Sequence, residues 1–310
     1  MAVIGCLYGA AGYQYVGLAK KLYDNTWAMR QFYDRVEKQY PDFKINKLSF
    51  IGPEEELFRE ENGLIINSVY QAGLFEVLKE QKIHPEQMAG YKSGEIMALV
   101  CARAMHFDDA MAFLFKKREI ISQEVGKGFF HHILVNQLDI KSVEKIVSEL
   151  KQAAGAGIVS YNNPDSTVVV CKTEFKEKMK EVFKKMKAAA IDIPHEEFAC
   201  MPLLKPVADR LKEEFLKIKL DKPVNRVICQ TTGEYYESAA EIKQRFTDYI
   251  YKPARIDLSL DTMLKNGVNT FVEMGSGTFL SRMAKKRDNG KRCLNTNDLG
   301  EVSKTVKLAN

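Results

Sequence analysis

The sequence predicts an α/β protein: a large, mainly parallel core with a ferredoxin-like lobe inserted into it. Three observations carry this expectation. From Ala2 to about Gln123, strand signals alternate with amphipathic helices, the order that builds a parallel sheet covered on both faces. From Phe129 to Pro194 the order becomes βαββαβ within about 65 residues, the ferredoxin-like succession. At Pro202 the first pattern resumes, so the βαββαβ stretch reads as an insertion. The large domain is expected over 1–127 and 196–310 and the small one over 128–195, an ordinary division for 310 residues.

Taken in order, Val3 to Leu7 is an apolar run of strand length that leads into a glycine turn. Val16 to Leu22, Ala28 to Gln39 and Leu64 to Gln81 space their apolar residues as helices do. Gln87 to Tyr91 is a short strand end, and Ile96 to Val125 is helical with a polar break near His106 to Asp109. Within the insertion, Phe129 to Asn136 is a strand and Ile140 to Ala154 a helix. Strands Gly157 to Tyr161 and Ser166 to Cys171 meet at the turn signal Asn162-Asn163-Pro164-Asp165. Helix Glu174 to Ala188 and strand Ala189 to Pro194 complete the lobe. Beyond it come a helix at Leu203 to Lys217, a strand near Val227 to Gln230, helices around Ala239 and Leu258, and the strand Thr270 to Met274.

Composition excludes several function classes. Apolar residues make up 45% and charged residues 28%, the balance of a globular chain with a full core. There is no run of eighteen apolar residues, and the opening MAVIGCLYGAAGYQ lacks the basic start and long apolar stretch of a secretory signal. Neither a membrane partner nor export is therefore expected. The net charge of +5, from 46 basic and 41 acidic residues, is spread over lysine-rich helix faces such as Glu174 to Lys187. A nucleic-acid partner would need clustered cations with interleaved aromatics, which are missing. The six cysteines form no CxxC pair, and His84, His106 and His195 have no ligand spacing, so no metal is expected. Unpaired cysteines in apolar segments suit a reducing, cytoplasmic location. His131 and His132 read as packing or surface residues.

Gly90-Tyr91-Lys92-Ser93-Gly94-Glu95 lies between a strand and a long helix. That placement describes an elbow, a sharp turn that lifts one side chain above the sheet at a helix N-terminus, and it makes the large domain α/β-hydrolase-like. Glycines belong on both sides of such a turn because a bulkier residue would clash. Lys92 is expected at the apex, in a strained backbone conformation and directed into the cleft between the two lobes.

With this elbow, the chain resembles the malonyl-CoA:acyl-carrier-protein transacylase family of fatty-acid and polyketide biosynthesis. The opening Tyr8-Gly9-Ala10-Ala11-Gly12-Tyr13-Gln14 is similar to the family's FPGQGSQ loop, and GYKSGEIMALVCARA from Gly90 to Ala104 to its GHSLGE elbow and following helix. Arg118 falls where the family's carboxylate-binding arginine is expected. Tyr161-Asn162-Asn163-Pro164 resembles its N-x-N-x-P turn, and Pro202 to Pro206 the stretch after its catalytic histidine. Ile250-Tyr251-Lys252-Pro253 and Phe271 to Gly277 are similar to its LYNP and E-x-G-P-G segments. These matches span nearly the whole chain.

The resemblance implies acyl transfer by a serine nucleophile, a histidine base, an orienting asparagine and an oxyanion site beside the glutamine loop. Here the serine position holds Lys92, the histidine position Cys200, the asparagine position Lys252 and the loop glutamine position Ala11; Ser93 takes the place of a variable residue. The small residues at the lobe entry become Phe129-Phe130-His131-His132, and Arg103 stands where the elbow helix has glycine. Loss of one triad member costs roughly 10⁴–10⁶-fold in turnover. The usual mechanism is thus excluded, and no residue is expected to be catalytic by it.

Two readings follow. In the first, the chain is a catalytically degenerate member that binds an acyl carrier protein or another biosynthetic enzyme, with Lys92, Lys252 and Arg118 forming a cationic pocket for malonyl-CoA, a small carboxylate or an acidic partner. In the second, Cys200 and Lys92 form a rebuilt acyltransferase or thioester hydrolase, the ammonium favouring the thiolate. Ser93 is a poor shifted nucleophile, because one step along the elbow turns a side chain by about 100°. No cofactor is expected beyond a coenzyme A thioester as ligand.

Overall fold

A computed structural model describes residues 2–124, 130–193, 197 and 199–309. The expected boundaries at 127/128 and 195/196, together with Phe129, Pro194, His195 and Phe198, lie outside the described residues. The strands are β1 (Ile4–Tyr8), β2 (Gln87–Gly90), β3 (Phe130–Asn136), β4 (Gly157–Asn163), β5 (Ser166–Lys172), β6 (Ala189–Ile193), β7 (Arg226–Ile228), β8 (Ala254–Arg255), β9 (Thr270–Met274) and β10 (Arg292–Asn295).

The large sheet runs β10-β9-β1-β2-β7, with every pairing parallel. Its central strand β1, IGCLY, is buried throughout, as a strand covered on both faces must be, and it therefore reads as a continuous apolar run. Helices Glu60–Glu80, Gly94–Cys101 and Phe107–Glu124 pack around it in one continuous apolar core. The predicted helix at Val16 begins only at Lys20, because Gly17 (φ 94°) and Ala19 (φ 65°) lie in the left-handed region and Gly17 N donates to Ser49 O at 2.8 Å. The break in the long helical stretch comes at 102–106, a few residues earlier than its polar residues suggest. Arg103 has φ 59° there, a conformation that glycine adopts at lower cost.

The second sheet runs β6-β3-β5-β4-β8. Its first four strands are antiparallel, as the βαββαβ order requires. Asp139 caps the helix Ile140–Ala154 by accepting from Ser142 N at 3.0 Å, and Gly155 ends it at φ 58°. Ile133, Val135, Val143, Val169 and Phe183 form the lobe's own apolar core. The fifth strand, β8, comes from the segment after the insertion and pairs parallel with the outer edge of β4 (Ser160 with Ala254, Tyr161 with Arg255). This satisfies backbone groups that would otherwise form an open edge, and it ties the lobe to the large domain. Val159, Val168 and Val170 extend the same tie by packing into the large core.

The E-x-G segment has a structural explanation of its own. The carboxylate of Glu273, at the end of β9, accepts from Leu280 N (3.1 Å) and Ser281 N (2.8 Å) at the start of the helix Phe279–Arg287. It thus satisfies amides that a helix start leaves without partners.

The elbow depends on two close backbone approaches. A Cβ on Gly94 would stand 2.0 Å from Tyr8 O, and one on Gly90 2.1 Å from Glu95 N. Both contacts are with backbone, so neither relaxes by rotating a side chain. Gly94→Ala is expected to destabilise at or above the upper end of the ~1–3 kcal/mol that overpacking costs, read as a lowered urea midpoint at unchanged slope. A Gly94→Ala variant as stable as the parent would show that the elbow does not approach β1 this closely.

Candidate functional site

The site grows from the end of β2. Tyr91 N donates to Tyr8 O at 2.9 Å, which closes the elbow against β1. Lys92 follows at φ 53°, a left-handed conformation strained for a residue with a side chain. Ser93 returns to helical angles and the helix Gly94–Cys101 begins. Lys92 is therefore the apex, and its side chain is fully buried.

A network locks this turn from behind. Gln230, just after β7, accepts from Lys92 N through Oε1 (2.7 Å) and donates through Nε2 to Lys92 O (2.9 Å) and Glu95 Oε2 (2.8 Å). Glu95 Oε1 accepts from Gln230 N and from the Tyr236 hydroxyl, each at 3.0 Å. Burial pushes the Glu95 carboxyl up to about 7, and the hydrogen bonds from Gln230 and Tyr236 only partly oppose the shift.

In front of the elbow stands Glu197, also fully buried. Its carboxylate accepts from the Ser93 hydroxyl (2.6 Å) and Ser93 N (3.3 Å) and forms a short ion pair with Lys117. Its backbone carbonyl accepts from Lys92 Nζ at 2.6 Å. The Lys117 ammonium also lies 5.3 Å from the centre of the Tyr249 ring. Two ammonium groups, a serine hydroxyl and a backbone amide thus converge on one residue of the chain itself. Charge-assisted bonds of this kind are the strong ones, and they compensate a desolvation that an unpaired carboxylate could not survive.

The cationic pocket expected from the sequence is not assembled. Arg118 points away from the elbow, its guanidinium 5.3 Å from the Phe43 ring centre on the outer side of the helix Phe107–Glu124. Adjacent helical residues diverge by about 100°, so only one of positions 117 and 118 can face the cleft, and it is Lys117. Lys252 turns outward, half exposed, and donates to Asp248 Oδ2 at 2.7 Å, an interaction that raises its pKa. Of the three proposed cations, Lys92 alone reaches the site.

Cys200 does lie beside the elbow, at φ 62° and fully buried, with Sγ 3.9 Å from Gln230 Oε1. Burial pushes its thiol up to about 12, outweighing the opposing pull of Lys92. The expectation of a thiolate favoured by Lys92 is therefore corrected: desolvation of the anion is the larger effect. Ala11 is buried and lines a cavity of about 60 Å³ with Gly9, Tyr91, Leu134 and Glu273. That volume is far below the roughly 300–1,000 Å³ of small-molecule sites. His132 is buried and its pKa is depressed, first by burial and then by Lys92, so it stays neutral. His131 pairs with Asp192 at 3.0 Å at the lobe's edge. Among the described residues no cluster of metal-ligating side chains occurs, and no helix is long and apolar enough to cross a membrane.

Known proteins share this architecture. The chain is 26% identical over 314 residues to the malonyl CoA-acyl carrier protein transacylase of Bacillus subtilis (strain 168), covering 100% of this chain and 96% of that one. It is 28% identical over 246 residues to the transacylase of the same name from Escherichia coli (strain K12), across 76% and 77% of the two chains. The crystal structure of the Clostridium perfringens transacylase superimposes with a TM-score of 0.90 at 25% identity, covering 99% of this chain and 97% of that one. The chain is thus similar over its full length to malonyl CoA-acyl carrier protein transacylases, the resemblance its motifs predict. A malonyl-transacylase solved in complex with a type II polyketide acyl-carrier protein superimposes at TM-score 0.91 and 22% identity, over 99% and 100% of the two chains. No family model matches the chain.

Glu197, Lys117, Gln230 and Glu95 were not singled out by the sequence. Glu95 and Lys117 were within reach, the first inside the elbow motif and the second beside Arg118. Glu197 and Gln230 sit 105 and 138 residues from Lys92, and no local pattern marks them.

Two expectations test the site. Removing one member of a buried ion pair leaves the other charge uncompensated, at a cost of about 3–5 kcal/mol. Lys117→Met should lose that much in urea unfolding, and Lys117→Met combined with Glu197→Leu should recover most of it. Glu95 supplies the second. Its folded pKa (about 7) lies above its ordinary 4.5, so its contribution is fully present below about pH 4.5 and is lost as pH rises through 7. The loss is on the order of 3 kcal/mol. Stability measured from pH 4.5 to 8 should decline less in Glu95→Gln than in the parent; parallel profiles would refute the assignment.

Proposed function

We propose that the chain is a malonyl-CoA:acyl-carrier-protein transacylase-like protein of fatty-acid or polyketide biosynthesis that binds an acyl carrier protein without turning over acyl groups. It acts in the cytoplasm, with no cofactor of its own; a coenzyme A thioester or a small carboxylate is the class of small molecule that would compete with Glu197 for the cleft. Kinship with transacylases over the full chain supports the biosynthetic context. The solved complex of a malonyl-transacylase with its acyl-carrier protein supports the choice of partner, and a net charge of +5 suits an acidic one.

The observation that carries the non-catalytic part of the reading is Glu197. Its carboxylate holds Ser93 Oγ, Ser93 N and Lys117 together, directly before the elbow. An incoming thioester would have to displace it and leave a buried carboxylate with no partner. The apex chemistry is also unsuited to transfer. Acylation of the Lys92 amine forms an amide, which unlike a serine ester does not pass its acyl group to a thiol. Among the described residues the groups beside it are poorly suited to serve as its base: the buried Cys200 thiol stays protonated, the neutral His132 has a depressed pKa, and the nearest carboxyl behind the turn is already occupied by Gln230 and Tyr236.

Purified protein supplied with malonyl-CoA and a carrier protein should give no multiple-turnover malonyl transfer, while the carrier protein still binds in calorimetry. Intact-mass spectrometry should find no acyl adduct. Multiple-turnover transfer that vanishes in Cys200→Ala would overturn this reading and establish a rebuilt enzyme.

A further inference from the structure

Arg118, left unused by the cleft, belongs to a different site. On the outer side of the helix Phe107–Glu124 lies an open groove of about 670 Å³, within the range of small-molecule sites. One wall is aromatic. Tyr40 and Phe115 stack at 3.9 Å with 20° between their planes, and Phe43 meets Phe115 edge-on at 5.3 Å. The rim is cationic: Arg118 lies over Phe43, and the exposed Lys44 and Lys47 line the same groove. Among the described residues none of these three cations has an ion-pair partner. Of the two acids present, Glu56 is taken by Arg59 at 2.8 Å, and Asp42 offsets one charge. Three cations less one acid leave an excess of two positive charges at the groove.

The floor adds a donor-seeking group. Asn62 is 5% exposed, and its Nδ2 donates to Glu56 O at 2.7 Å. That bond fixes the amide's orientation, because a carbonyl partner needs the NH₂ end. The other end, Oδ1, accepts from no donor. A buried acceptor left in this state is costly, and a ligand N–H is one way to satisfy it.

Aromatic wall, orphaned acceptor and uncompensated cations call for one ligand that carries a flat ring with an N–H donor at one end and an anion at the other. We propose that this groove binds an amino-bearing purine nucleoside phosphate. The ring packs against the Tyr40–Phe115 pair with its amine toward Asn62 Oδ1, and the phosphate meets Arg118, Lys44 and Lys47. Free nucleotide and the nucleotide end of coenzyme A present the same chemistry. The site is separate from the elbow and independent of whether the cleft turns over acyl groups.

Calorimetric titration with AMP, adenosine, inorganic phosphate and coenzyme A tests it on the full chain. AMP should bind saturably and at least tenfold more tightly than phosphate or adenosine alone. Arg118→Glu and, separately, Lys47→Glu should each weaken AMP tenfold or more, and Asn62→Leu should weaken AMP while leaving the response to phosphate unchanged. Lys47 is exposed, so its variant remains informative even if the Asn62 variant folds poorly. If coenzyme A binds more tightly than AMP, and that binding is lost in both charge reversals, the occupant is the coenzyme; the opposite order assigns free nucleotide. No saturable AMP binding, phosphate binding as tightly as AMP, or AMP binding unchanged in both Arg118→Glu and Lys47→Glu would each overturn the proposal.

Discussion

A carboxylate removed completely from water must be compensated by donors, and Glu197 takes them from the elbow itself. Ser93 gives its hydroxyl and amide and Lys117 its ammonium, while Lys92 is spent on the backbone carbonyl of the same residue. The geometry of the turn, the direction of the helix Phe107–Glu124 and the closure of the cleft are mutually dependent through this one residue. Buried polar clusters have this property: satisfied in full they fix a single arrangement, and satisfied in part they are worse than an apolar filling. The cluster resembles a bound state in which the ligand is part of the chain.

The elbow persists for a reason unrelated to catalysis. Gly94 lets the helix after β2 approach β1 more closely than any Cβ permits, Gly90 lets the turn fold back onto the start of that helix, and the left-handed apex follows from both approaches. Once the turn is required by packing, the residue at its apex must accept φ near 53° whatever its chemistry. Lys92 accepts it because Gln230 holds both its amide and its carbonyl. Fold and activity thus separate cleanly: the sheet needs the turn, and only a transferase would need a nucleophile on it.

Much of this was legible in the sequence. The alternating pattern, the interruption at Phe129 and the turn at Pro164-Asp165 gave both sheets, since buried parallel strands and two-sided lobes leave strong local periodicities. The helix Ile140–Ala154 and the strand Thr270–Met274 were readable to the residue. The strand β8 was not, because two residues that pair only through tertiary contact have no period to detect. At the site, Lys92 and Cys200 could be placed by their motifs. Arg118 could not, because a helix position is fixed only to within the rotation between neighbours, and one residue separates the closed cleft from the open groove. Lys252 failed differently: Asp248, one helical turn away, offers it an exposed partner, and a lysine takes that in preference to an uncompensated burial.

The adjacent pair Lys117 and Arg118 shows how the same charge serves opposite ends. Facing inward, an ammonium without solvent needs an anion, and the chain supplies Glu197. Facing outward, a guanidinium keeps its hydration and can remain without an acid at little cost, so it stays available to a ligand. Burial, more than residue type, decides which cation is structural and which is poised to bind. By that criterion the cleft is the completed site of this molecule, and the groove beside Arg118 is the one whose electrostatics are still open.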